Sequence, residues 1–317
     1  MTAGIHHVTA IAGDPQQNID FYAGLLGLRL VKLTVNFDDP GAYHLYYGDE
    51  TGRPGTIMTF FSWPGARRGR RGIGQVGTTS FAVPPGSLPF WRGRLQQAGV
   101  SLAGPVEEPQ RRFDEPVLAF NDPDGLFIEL VEHQPAADWP FWSGGPVPAN
   151  HAVRGFHSVT LEEEGFAATQ QLLTDTLEVE SVGQEGQIAR FRAVGSGPGN
   201  LLDLRMAPNM QFGVVAVGTV HHVAWRAPDD DAEKALQDTL IRRGYNPTQV
   251  LDRQYFHSVY FREPGGVLFE IATDPPGFTA DETVAQLGTQ LKLPPWLEPE
   301  RAAIEQILPP VRLPTAG

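Results

Sequence analysis

Gly218-Thr219-Val220-His221-His222-Val223-Ala224-Trp225 opens, and Gly265-Gly266-Val267-Leu268-Phe269-Glu270-Ile271 closes, the stretch of sequence from which the fold can be read. Two imidazoles stand in a short apolar run and a lone carboxylate in another. Both runs read as buried strands carrying groups that are costly to bury alone. The opening recurs at the N-terminus as Gly4-Ile5-His6-His7-Val8-Thr9. One bound cation reached by both copies accounts for all of these residues.

Working outward, the chain repeats one unit four times: a strand after a glycine, a helix, then strands ending in a Gly-x-x-x-acid pattern. The repeats span residues 1–64, 74–133, 151–210 and 216–278, with a Pro-, Trp- and Gly-rich linker at 134–150 and a tail at 279–317. In the first repeat Asp14 caps a helix with Pro15 in its first turn, and Gly24 and Gly27 stop it. Further helices are expected near 88–98, 165–177 and 231–243, and one amphipathic helix at 299–308 in the tail, which acts as a lid or a dimer strap. A four-stranded sheet with one helix leaves a sheet face bare, so the units must work in pairs. The predicted fold is therefore α+β: four βαβββ modules forming two cupped half-barrels, with the metal site between modules 1 and 4.

Aligned by their glycines, the copies place His7, Ser80, Ser158 and His222 in one column, and Thr59, Glu129, Asp203 and Glu270 in another. Only modules 1 and 4 carry His-His. The site that can be built is His7, His222 and Glu270, which requires modules 1 and 4 to face each other and leaves modules 2 and 3 to pair elsewhere. Two neutral imidazoles and one carboxylate with open positions suit Fe(II), with Mn(II) as runner-up; zinc prefers a tetrahedral site. Neighbours in a strand point to opposite faces, so one histidine of each pair binds directly, and the other reaches the substrate only from a bulge or a turned strand. Modules 2 and 3 offer serines where histidines are needed.

Composition agrees. A net charge of -13 argues against nucleic acid or anionic membrane as the partner, and the run Arg67-Arg68-Gly69-Arg70-Arg71 reads as a solvated loop. The absence of cysteine excludes disulfides, thiolate metal sites and cysteine nucleophiles. No window holds the ~18 apolar residues a membrane span needs, and the N-terminus lacks a basic region before an apolar one, so the expected compartment is the cytoplasm. A homo-oligomer is left open.

The repeat unit resembles the vicinal oxygen chelate superfamily of glyoxalases, extradiol dioxygenases and bleomycin and fosfomycin resistance proteins. Within it the chain is similar to the ring-cleaving dioxygenases of hydroquinones. The residues carrying that likeness are Gly4 to Thr9, Thr34-Val35-Asn36-Phe37-Asp38-Asp39-Pro40, Tyr43-His44-Leu45-Tyr46-Tyr47-Gly48-Asp49, and Asp252 to Gly266. The resemblance implies His7, His222 and Glu270 as iron ligands, a small aromatic substrate and O2 as partners, and His6, His221, Arg253 and Tyr260 as groups beside the substrate. His6 or His221 would take the phenol proton, Arg253 would stabilise oxyanion charge and Tyr260 would hydrogen-bond it. Asn36, Tyr43 and His44 are further candidates for the cavity wall. His257 departs from the family pattern and is expected on the far face of its strand. The alternatives are a glyoxalase-like isomerase or lyase, and a metal-free drug-binding protein.

Overall fold

The computed structural model of the protein describes residues 2–103 and 110–314. The first repeat runs β1 (Ile5–Ala12), α1 (Pro15–Ile19, continued by a π turn over Asp20–Leu25), β2 (Arg29–Asn36), β3 (Asp39–Gly48) and β4 (Ile57–Ser62). The second contains β5 (Gln75–Val83), α2 (Leu88–Gln97), β6 (Leu102–Ala103), β7 (Gln110–Arg112), β8 (Glu115–Asn121) and β9 (Phe127–Glu132). The third has β10 (Phe156–Glu163), α3 (Ala167–Asp175), β11 (Glu180–Glu185), β12 (Ile188–Arg192) and β13 (Leu201–Met206). The fourth has β14 (Val220–Ala227), α4 (Asp230–Arg242), β15 (Leu251–Asp252), β16 (His257–Arg262) and β17 (Leu268–Thr273), and α5 (Arg301–Ile307) lies in the tail. Local chemistry starts the helices. The Asp14 carboxylate accepts the Gln17 N–H at 3.0 Å with Pro15 just inside α1, and Asp229 does the same for Ala232 in α4 at 2.8 Å.

The strands form two curled sheets. One, ordered β15-β16-β17-β14-β1-β4-β3-β2, joins the first repeat to the fourth; the other, β11-β12-β13-β10-β5-β9-β8-β6, joins the third to the second. The seam of each is an antiparallel pair, β1 with β14 and β10 with β5. All eight residues of β1 are buried, as suits a central strand covered on both faces. The larger apolar core packs the helices on the outer faces, and a smaller cluster of Val31, Tyr46, Tyr255, Phe256 and Phe278 fills the inside of the β1–β14 half-barrel.

One register differs from the glycine alignment. Gly74, at φ 79, is the counterpart of Gly218, at φ 84, whereas Gly77 is the bulged residue of β5. Gly218 needs both its conformation and its bareness, since a Cβ there would lie 2.1 Å from the Asp124 carbonyl oxygen. Counting from the correct glycine puts Thr78, rather than Ser80, in the column of His222.

The basic run is the exposed loop its like charges imply, and it also ties neighbouring segments together. Arg70 donates to the Phe212 carbonyl, Arg68 to the carbonyls of Pro123 and Asp124, and Arg71 pairs with buried Glu162 at 2.8 Å. The tail straps its own chain. Fully buried Lys32 reaches back to Asp281 at 2.6 Å and to Glu282, with Tyr255 beneath it at 4.7 Å. Leu291 bridges to Leu33, and α5 packs on β3. Among the described residues no helix is long and apolar enough to cross a membrane.

Candidate metal centre and active site

The seam between β1 and β14 is where the two His-His pairs meet. Thr9 lies opposite His222 and His7 opposite Ala224, with register shifts between Ile5 and His7 and between His222 and Val220. Each shift makes a bulge, with His6 and His221 as the extra residues. A bulge re-aims a side chain that strict alternation would send to the other face. Adjacent imidazoles thereby come within hydrogen-bonding distance: His6 Nδ1 is 2.9 Å from His7 Nδ1, and His221 Nδ1 is 2.8 Å from His222 Nδ1.

These contacts decide what the inner rings offer. Burial, with the neighbouring imidazole second, lowers the pKa of His6 well below its ordinary value and that of His221 to about 3. Both outer rings are therefore neutral, and each can accept a hydrogen bond from its inner neighbour. We assign Nδ1–H to His7 and His222, which leaves their Nε2 lone pairs pointing inward; the other nitrogen of His6 is anchored to the backbone of Thr273.

The inward atoms converge with a carboxylate. Nε2 of His7 and of His222 are 3.2 Å apart, and Glu270 Oε2 is 3.3 Å from the first and 2.9 Å from the second. Glu270 is fully buried, its Oε1 accepts from the Ser258 hydroxyl, and its Oε2 has no hydrogen bond of acceptable geometry. Three lone pairs thus meet with no proton assigned between them, which is repulsive until a cation stands at their centre. Cis ligands at ~2.1 Å from one ion are ~3 Å apart, so the observed triangle fits a metal. Ser258, which the sequence reading missed, positions the carboxylate. Ser258→Ala is expected to weaken metal binding by about 10–100-fold, measured by competition with a chromophoric chelator.

His7 and His222 line a cavity of about 320 Å³, near the lower end of small-molecule sites, walled by Phe37, His44, Phe61, Trp63, Phe256 and Leu268 among others. His221, Arg253 and Tyr260 line it too, whereas His6 does not: it borders a separate small cavity beside Tyr255 and Phe256. Asn36 and His44 line the wall; Tyr43 instead donates to the Pro309 carbonyl at 3.0 Å. Arg253 pairs with Asp38 at 3.0 Å across the mouth and lies 5.4 Å from the Tyr260 ring centre. Burial, reinforced by Glu270, raises the Tyr260 pKa, so its phenol keeps its proton. Thr59, in the column of a fourth ligand, is engaged by His44 Nε2 at 2.7 Å and Thr9 at 3.0 Å. His257 is on the other face, 2.7 Å from Asp230.

The second half-barrel holds different chemistry at the matching place. Arg112 binds Glu129 at 2.6 Å, and Arg190 grips Asp203 with bonds of 2.8 and 2.9 Å. Guanidinium groups supply the positive charge there: Arg112 ends β7, next to a turn where Phe113 and Asp114 take positive φ, and Arg190 comes from β12.

The chain is 50% identical to "Putative ring-cleaving dioxygenase MhqO" of Bacillus subtilis (strain 168), over 98% of this chain and 96% of that protein. It is 35% identical to a chlorohydroquinone/hydroquinone 1,2-dioxygenase of Sphingobium indicum, over 93% and 92% of the two chains. The crystal structure of a "putative dioxygenase" from Bacillus subtilis superposes with a TM-score of 0.93 at 49% identity, covering 99% of this chain and 98% of the other. Residues 4–130 and 145–271 both match one family. With its two half-barrels and a metal-ready triad at one seam, the chain belongs to the Glyoxalase/Bleomycin resistance protein/Dioxygenase superfamily.

Proposed function

We propose that the protein is an Fe(II)-dependent ring-cleaving dioxygenase of hydroquinone-type aromatic rings, with His7, His222 and Glu270 holding the metal. The observation that carries this reading is the orphaned, buried Glu270 Oε2 facing the imidazole nitrogens of His7 and His222, which themselves line an aromatic-walled cavity. Relatives named as ring-cleaving and hydroquinone dioxygenases support the substrate class. Held by His7, His222 and Glu270, Fe(II) would supply the electrons that let O2 react with a closed-shell ring.

The chain's own groups orient and stabilise. His6 and His221 accept from His7 and His222 at Nδ1 and so fix both ligand rings. That assignment changes the role expected for His221: with Nδ1 occupied, its remaining nitrogen bears a proton, so it donates to a substrate oxygen and does not act as the base. His6, outside the cavity, acts only through His7. Tyr260, kept protonated, donates a second hydrogen bond to the oxygen that gains charge, and Arg253 places a fixed positive charge beside it. The aromatic wall stacks on the ring and excludes water.

The test is anaerobic loading with Fe(II), then O2 uptake on addition of a panel of hydroquinones and catechols. Uptake with a ring-opened product, lost in His222→Ala, is the expected result; metal binding without O2 consumption would point to isomerase or lyase chemistry. Tyr260→Phe is expected to lower kcat by about 10–100-fold with little change in KM, since the hydrogen bond it removes strengthens as charge develops; steady-state O2 uptake reads both parameters.

A further inference from the structure

On the outer face of the β14–β17 sheet, away from the cavity, a second group of metal-ligating side chains meets. Asp230 and Glu233 come from the first turn of α4 and His257 from the start of β16, and one ligand atom of each lies within 4.8 Å of the other two. Alternation along β16 sets the side. Ser258 bonds Glu270 and Tyr260 lines the cavity, so His257 faces α4.

Glu233 is the residue that asks for an explanation. It is 1% exposed, lies on the buried side of α4 with Leu236 and Leu240, and its Oε1 has no hydrogen-bond partner. A surface ion pair needs only Asp230 and His257, which already stand 2.7 Å apart. It leaves the buried carboxyl unaccounted for, and an unpartnered carboxylate at that depth is costly. Burial accordingly pushes the Glu233 pKa up to about 7, a proton occupying the place of a stronger partner.

We propose that Asp230, Glu233 and His257 form a second divalent-cation site, taking Zn(II) or a neighbouring transition metal such as Co(II) or Ni(II). One imidazole with two carboxylates suits these ions better than Ca(II) or Mg(II), which prefer oxygen alone. The positive end of the helix dipole opposes a cation, but its effective charge of about half a unit is small beside the carboxylates of Asp230, Asp231 and Glu233 in that turn. A cation here pins the outer face of β16 one residue from Ser258, whose hydroxyl holds Glu270 on the inner face. The site would therefore stiffen the strand that positions the catalytic triad.

The experiment is equilibrium dialysis of chelator-stripped full-length protein against Zn(II), with metal per chain counted by plasma mass spectrometry. The wild type is expected to bind two ions. His257→Ala and Glu233→Gln should each bind one, with affinity at the lost position down by about 10²-fold or more, and His222→Ala should keep an ion that His222→Ala/His257→Ala loses. Glu233→Gln preserves volume, and circular dichroism of each variant separates site loss from misfolding. A wild-type count of one that His257→Ala and Glu233→Gln leave unchanged overturns the proposal. Because the outer ion is scored by its dependence on His257 and Glu233, failure of the dioxygenase reading would leave this result unaffected.

Discussion

Glu270→Gln leaves the protein folded and removes its metal. The amide has the same shape, and its oxygen can still accept from Ser258 while its NH2 donates toward the Nε2 lone pairs of His7 and His222, 3.3 and 2.9 Å from the present Oε2. Without metal, the wild type holds a buried charge among imidazoles and the variant a neutral network. Exchanges of that kind are close to neutral in stability, so the two apo proteins should melt within about 5 °C of each other. Metal binding is where they part. Metal-site energies of about 10–16 kcal/mol, shared by four ligands, come to about 2.5–4 kcal/mol each, or about 10²–10³-fold in affinity. Titration of both apo proteins with Fe(II) or Zn(II), read by calorimetry and by the rise in Tm, checks this. Equal metal affinity in the two would remove Glu270 from the site.

The residues of that triangle were legible because they break a pattern. His6-His7 and His221-His222 stand out in apolar strands, and their recurrence in the first and last repeats called for a shared partner; the paired sheet order follows from that alone. What the sequence hid was the geometry of the second histidine in each pair. Alternation predicts opposite faces, but bulges at His6 and His221 swing each ring against its neighbour, and a bulge has no residue signature here. The same blindness misplaced the second repeat. Gly77 looks like a strand-opening glycine, yet it is the bulged residue and Gly74 carries the positive φ. Ser258 was missed because a serine in a strand says nothing of the carboxylate 12 positions on. The basic run at Arg67–Arg71 is the exposed loop that its like charges imply; what the sequence did not show is that Arg71 also reaches Glu162 and that Arg68 and Arg70 reach backbone carbonyls.

Arg190→Met should destabilise the protein by about 3–5 kcal/mol. Asp203 is fully buried and takes both its short bonds from Arg190, at 2.8 and 2.9 Å; the next cation, Arg112, has its Nε 3.4 Å away and gives its terminal nitrogens to Glu129. Arg190 also reaches Glu115 at 3.2 Å and lies 4.1 Å over the Phe113 ring, which is part of the turn that closes this half-barrel. Methionine keeps much of the apolar stem but leaves Asp203 charged and underpaired, the costliest way to break such a pair. At ~2–4 °C per kcal/mol the melting temperature should fall by about 6–20 °C. Arg190→Met/Asp203→Leu should recover a large part of the loss, because removing both charges removes the desolvation problem itself. Urea unfolding of the two variants gives the coupling directly; a single-variant loss below about 1 kcal/mol would show that water reaches Asp203. Metal affinity at the His7–His222–Glu270 triangle should not change, because that triangle is built on the other sheet. The two half-barrels share one repeated pattern, and the comparison separates them physically: one seam sets its carboxylate against two imidazoles, and the other satisfies its carboxylates with arginine.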